Sequence, residues 1–99
     1  MKAYFINVKE KTITETEVDG LESWYEKIEC ELVESHKLNK YGDRIIVDEE
    51  GTFRREKLSF SYQGARFIGN ALIIGCNDEG EETPPVIPIG QVVDSVLFL

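Results

Sequence analysis

Two clusters of carboxylates are the residues best placed to do chemistry. Asp48, Glu49 and Glu50 run into Gly51, and Asp78, Glu79, Glu81 and Glu82 surround Gly80 just after the apolar run Ala71-Leu72-Ile73-Ile74-Gly75-Cys76. Calcium loops place carboxylates at alternate positions around a glycine and close on a glutamate. Asn77, Glu79 and Glu81 alternate, but Thr83-Pro84-Pro85 stands where the closing ligand belongs. If strands 44–48 and 70–76 are neighbours, the turns at Asp48 and Asp78 can approach, and two carboxylates a few ångströms apart can do acid–base work of the kind used on glycosides. A glycosidase also needs a sugar-sized cleft, for which a chain of 99 residues has little room. The plain alternative is two solvated turns, the second keeping a hydrophobic strand end soluble.

A third acidic group is Glu22, Glu26 and Glu29, with Glu15, Glu17, Glu31 and Glu34 nearby. Carboxylates arrayed on a surface can stand in for phosphates and block a nucleic-acid-binding enzyme. They can equally be the solvated face of a helix, because repulsion at i, i+4 costs only a few tenths of a kcal/mol. The candidate binding residues are therefore Glu22, Glu26, Glu29, Asp48, Glu49, Asp78 and Glu79.

Cys30, His36 and Cys76 are the soft metal-ligand types besides Met1. Structural zinc takes four ligands, usually in short paired spacings, and no such pair is present. A Cys30–His36 nucleophile pair needs contact, yet in one extended strand the two would stand about 20 Å apart. Both cysteines fit as small packed hydrophobes. The glycines from Gly64 to Gly75 lack the Lys-Ser/Thr ending of a phosphate loop. No metal, cofactor or catalytic residue is expected, which weighs against an enzyme.

The elements that must position these residues follow from periodicity. Ala3 to Val8 is apolar on both faces and reads as a strand inside a sheet. Thr12 to Val18 alternates and suits its hairpin partner. Leu21, Trp24, Tyr25 and Ile28 fall on one face of a helix over about 20–29, with Asp19 and Glu22 spaced to cap it reciprocally. Glu31 to Leu38 and Arg44 to Asp48 read as strands joined by the turn Asn39-Lys40-Tyr41-Gly42-Asp43. Gly51 is expected to take a positive φ. Leu58, Phe60 and Tyr62 alternate with serines, as a short strand or an extended loop would, until Gly64. Asn70 to Cys76 reads as a central strand. The tail fits a short helix near 89–94 and then a closing strand, whose apolar Val96-Leu97-Phe98-Leu99 could pair edge to edge with another copy.

The fold class is thus α+β: a single domain, 1–99, with a mainly antiparallel sheet of about five to six strands packed on one main helix. The expected core is Tyr4, Ile6, Leu21, Trp24, Ile28, Ile45, Val47, Leu72, Ile74 and Val96. Ninety-nine residues can bury roughly two-thirds of the unfolded surface, and the 10% aromatic content suits a folded chain.

A net charge of −8 excludes several partners. Nucleic-acid binders need a basic stripe, and the densest basic patch, Arg54-Arg55-Glu56-Lys57, contains an acid. Anionic membrane surfaces are disfavoured by the same charge, and no apolar run approaches the roughly 18–20 residues that span a bilayer. A protein partner with a basic surface suits the acidity. No secretory signal is visible, so a reducing cytoplasm with both thiols free is expected.

Several short features, Met1-Lys2-Ala3-Tyr4-Phe5-Ile6-Asn7, Ile28-Glu29-Cys30, Val47-Asp48-Glu49-Glu50-Gly51, Phe67-Ile68-Gly69-Asn70-Ala71 and Gly75-Cys76-Asn77-Asp78-Glu79-Gly80-Glu81, occur in an order that samples most of the chain. In this ordered set the chain resembles a small acidic family of unknown function carried by bacteria, phages and other mobile elements. The resemblance implies an α+β domain of bacterial or mobile-element origin and brings no activity and no site residues. Thr83-Pro84-Pro85-Val86 is richer in proline than that pattern. The expectation is a non-enzymatic protein–protein interaction module. The alternatives are a small-ligand or divalent-metal activity at the acidic turns near Asp48 and Asp78, and a homo-oligomeric structural protein.

Overall fold

A computed structural model describes all residues from Met1 to Leu99. The apolar run near the N-terminus forms β1 (Lys2–Asn7), paired antiparallel with β2 (Thr12–Glu17) on one side and β7 (Ala71–Cys76) on the other. Asn7 closes the hairpin turn, its side-chain oxygen accepting from the amides of Lys9 and Glu10. On the far side of β7 lies β4 (Arg44–Asp48), and β3 (Val33–Lys37) forms the outer edge, giving the order β2-β1-β7-β4-β3. The short β8 (Glu82–Thr83) pairs with the end of β7 and completes a six-stranded sheet.

β5 (Ser59–Tyr62), β6 (Ala65–Ile68) and β9 (Val96–Phe98) form a second antiparallel sheet of three strands, in the order β6-β5-β9. The helices are α1 (Gly20–Ile28) and α2 (Ile89–Ser95). The chain is one small α+β domain, as its patterning predicts, and no helix is long and apolar enough to cross a membrane.

Why the middle strands lack alternation is now plain. Tyr4, Ile6, Ile45, Val47, Ala71 and Ile73 face the second sheet and α2, where Phe60, Tyr62 and Val92 meet them. Ala3, Ile46, Leu72 and Ile74 face α1, where Trp24 and Ile28 meet them. Alternate residues of a strand point to opposite faces, so a sheet covered on both sides needs apolar residues at every position. The second sheet is the cover that the sequence did not separate from the main sheet, while the short helix expected near 89–94 is present as α2.

Four local expectations are corrected. Leu21 is 50% exposed rather than in the core, because α1 meets the sheet through Trp24 and Ile28 and its first turn stays in solvent. Val96 is half-buried, as its edge strand allows. The reciprocal cap between Asp19 and Glu22 does not form. Gly20 turns the chain with φ 77°, and the Ser23 hydroxyl serves instead, accepting from the Asp19 amide and donating to the Gly20 carbonyl. Gly51 does not adopt a positive φ. It opens a 3-10 turn (Gly51–Phe53), and a β-carbon there would sit 3.0 Å from the Ile68 carbonyl oxygen, so close approach to β6 is what needs glycine.

Ile73→Ala should cost about 2–5 kcal/mol, since it empties a fully buried site between the two sheets. Leu21→Ala should stay within about 0.5–1 kcal/mol. Urea denaturation of the two variants checks both, and equal losses would contradict the layered core.

Candidate functional site

The acidic residues of the sequence fall into three different environments. Asp48 ends β4 with its side chain only 8% exposed, and both oxygens are engaged. Oδ2 accepts from Arg54 Nε at 2.7 Å and Oδ1 from the Glu50 amide at 2.9 Å. Arg54 in turn donates from Nη2 to the carbonyls of Ile28, at 2.7 Å, and Glu29, at 2.6 Å. A helix leaves its last carbonyls without internal partners, and Arg54 supplies donors for two of them. Asn70 serves a third: its Nδ2 donates to the Lys27 carbonyl at 3.0 Å, while its Oδ1 accepts from the Val8 amide at 2.9 Å. Room for the guanidinium comes from Gly69 (φ 93°), where a β-carbon would lie 3.0 Å from Arg54 Nε. Glu49, next in the chain, is exposed.

Glu22 and Glu26 are exposed on α1, and neither forms an ion pair; the four ion pairs of the chain lie elsewhere. Glu29 leaves the helical face. It takes a left-handed conformation (φ 61°) at the end of α1, and its Oε2 lies 3.4 Å from Asn70 Nδ2. The backbone turn there also buries part of the next residue. Desolvation, and then the Asp48 charge, push the Cys30 thiol up to about 11, so it stays protonated where an ordinary thiol ionises. Cys30 and Cys76 are both free.

Asp78 and Glu79 sit in a turn organised by Asn77. The Asn77 Oδ1 accepts from the amides of Glu79 and Glu81, at 3.0 and 2.9 Å. β4 and β7 are neighbours, but antiparallel, with Arg44 opposite Ile74 and Val47 opposite Ala71. That register puts Asp48 and Asp78 at opposite ends of the strand pair, so the two turns share no site. No group of three or more His, Cys, Asp and Glu side chains is placed to hold a metal ion.

The largest concavity lies elsewhere, between the outer edge of β3 and the β5–β6 hairpin, with a volume of about 460 Å³. Register explains its lining. Glu34 and His36 pair with Val47 and Ile45, so they point to the face that the second sheet covers. At this margin the cover is incomplete, and a glutamate and a histidine occur where a closed sandwich would place apolar residues. His36 Nε2 lies 3.3 Å from Glu34 Oε1, and its ring rests against Phe67 of β6 with centroids 5.7 Å apart. Ile45 and Tyr62 lie buried beneath the concavity, and Leu38, Gln63 and Ala65 line it, with Lys37 and Arg66 at its margins on strand faces that register turns away from it. A recess of about 110 Å³ continues the groove past Glu34, Arg66 and Phe67 towards Asp48 and Glu49.

Periodicity missed Arg54, Asn70 and this groove. The only trace of Asn70 in the sequence is an amide opening an otherwise apolar strand. Comparison with known proteins adds no assignment: no protein-family model, no curated protein and no solved structure matches this chain.

Arg54→Met should destabilise the fold by about 2–3 kcal/mol, because it strands a nearly buried carboxylate and two helix-end carbonyls. Adding Asp48→Asn should restore part of that loss. A double-mutant cycle by urea denaturation measures the coupling; strictly additive losses would mean that the pair contributes nothing as a pair.

Proposed function

We propose that this chain is a non-enzymatic protein–protein interaction module whose partner offers a basic surface. One observation carries the reading: Glu22 and Glu26 stand a turn apart on α1, exposed and without ion pairs. Asp48, by contrast, is engaged by Arg54, and Glu29 has left the helical face with its Oε2 3.4 Å from Asn70 Nδ2. Unpaired surface carboxylates on a rigid helix attract a cationic surface at long range and fix its register at short range. The resemblance to the acidic bacterial and mobile-element family supplies the setting, a bacterial cytoplasm. A divalent-cation activity at the acidic turns ranks lower, since Asp48 is committed to Arg54 and Asp78 lies at the opposite end of the strand pair.

A second reading, a homo-oligomer, is favoured by β9. It is an edge strand of the second sheet, and Leu97 and Leu99 beside its free edge are 62% and 56% exposed. Exposed apolar edges are templates for pairing with another chain.

Affinity capture from a bacterial lysate should recover a partner that elutes as salt rises and that a Glu22→Lys/Glu26→Lys bait fails to hold. Equal recovery by both baits would remove the acidic helix as the contact. Sedimentation across a concentration series tests the second reading: a dimer that Leu97→Glu dissociates would support it, and monomer throughout would end it.

A further inference from the structure

The outer strand of the main sheet carries a sequence that complements itself when reversed. Leu32-Val33-Glu34-Ser35-His36-Lys37-Leu38 has a leucine at each end, and an acid and an imidazole on either side of Ser35. Residues 34–37 are exposed, and β3 ends the strand order with one edge free. The phase of its ladder shows which backbone groups lie on that edge. The Leu38 amide bonds to the Asp43 carbonyl at 2.9 Å and the Glu49 amide to the Leu32 carbonyl at 3.0 Å, so the even-numbered residues here turn their backbone groups to β4. That role alternates along an antiparallel strand, and Val33, Ser35 and Lys37 therefore turn theirs outward. Arg44 guards one of these groups, reaching the Ser35 carbonyl at 3.3 Å. A carbonyl has a second lone pair, and no side chain bonds to the outward groups of Val33 or Lys37. The guard favours a partner that matches the edge in its side chains as well as its backbone.

We propose that β3 pairs with β3 of a second copy, antiparallel and centred on Ser35, joining two main sheets into one. Free strand edges are templates for such pairing, and a contact made by one patch on both copies closes on itself. In this register Val33, Ser35 and Lys37 all find main-chain partners. Glu34 comes opposite the partner's His36, and His36 opposite the partner's Glu34. These are pairs of the type without mutual backbone bonds, whose side chains approach more closely. Within one chain His36 Nε2 already lies 3.3 Å from Glu34 Oε1, so the pairs across the edge extend an existing acid–imidazole contact. Leu32, 49% exposed, comes opposite the partner's Leu38. Other registers lose this match. Sliding the partner by two residues sets Glu34 opposite Glu34 in one direction, which repels, and His36 opposite His36 in the other. Sliding by one residue turns each side chain to the wrong face. The net charge of −8 does not oppose the contact strongly, since charges beyond about 8 Å are largely screened at physiological salt. The contact is independent of the one proposed for α1 and uses a different edge from β9.

Sedimentation of the full chain across a concentration series should show a monomer–dimer equilibrium. Glu34→Lys should raise the dissociation constant about tenfold, because both acid–imidazole pairs are lost, and His36→Glu should do the same. Both positions are exposed, so the fold is kept. Mixed together, these two variants should associate with each other, since the new cation of one meets the new carboxylate of the other. A damaged fold would not regain affinity on mixing. Ser35→Pro is tolerated on an edge strand whose amide faces away from its neighbour, and it should abolish the dimer by removing the central bonds. Glu22→Lys/Glu26→Lys and Leu97→Glu should leave the dimer intact, which separates this contact from those of α1 and β9. Monomer at every concentration would overturn the proposal. So would a dimer that Leu97→Glu dissociates and Glu34→Lys does not, or a mixture of the two charge variants that stays monomeric.

Discussion

Asp43 is fully buried, and a carboxylate taken out of water is tolerated only where donors replace its hydration. Three do so here. The Val86 amide reaches Oδ1 at 2.8 Å, and the Ile87 amide and Asn39 Nδ2 reach Oδ2 at 2.8 and 2.9 Å. Two of these donors belong to the segment just after Pro84-Pro85, so the carboxylate fixes a stretch that has little regular pairing of its own. The Tyr4 hydroxyl holds the same segment by donating to the Ile87 carbonyl at 2.7 Å. From there the chain enters α2, sets Val92 into the core and delivers β9 to β5. Burial, and then the Asp43 charge, push the Tyr62 hydroxyl up, which keeps that phenol neutral beside the carboxylate. The second layer of the protein therefore depends on one acidic side chain at the start of β4.

A second polar knot does the same for the first layer. Asp48, Arg54 and Asn70 gather at the C-terminal end of α1, where Arg54, held by Asp48, and Asn70 supply the donors that its last carbonyls lack. The knot links α1 to β4, to the 3-10 turn and to the starts of β7 and of the β1–β2 turn. Acidic residues in this chain thus do two unlike jobs. Asp43 and Asp48 hold elements together from inside, while Glu22 and Glu26 remain in solvent with nothing within the chain to neutralise them.

The layered arrangement also explains where a groove can exist. The two sheets face each other across the core, and α2 lies against β2 on one side. On the other side β3 and β6 are both edge strands, and no element covers the gap between them. Arg44 blunts the β3 edge by donating to the Ser35 hydroxyl and, at 3.3 Å, to the Ser35 carbonyl. That is a familiar defence against unwanted strand pairing. The side-chain groove beside that edge remains open.

The sequence by itself determined the elements whose signal is local. The unbroken apolar runs at 3–8 and 70–76, the helical spacing of Trp24 and Ile28, and the Gly64 break after the alternation at 58–62 depend on near neighbours and on the period of each element. Tertiary structure decided everything that turns on which strands meet. The split into two sheets rests on whether β5 joins β4 or β9, and alternation cannot tell one apolar partner from another. The antiparallel register of β4 and β7 separates Asp48 from Asp78, which no spacing along the chain reveals. Asp43 reads as a turn residue and Arg54 as a surface cation until the segments at 86–87 and 28–29 are brought beside them. Periodicity reports which face of an element is buried, but the partner that buries it, and the charge it must satisfy there, lie far along the chain.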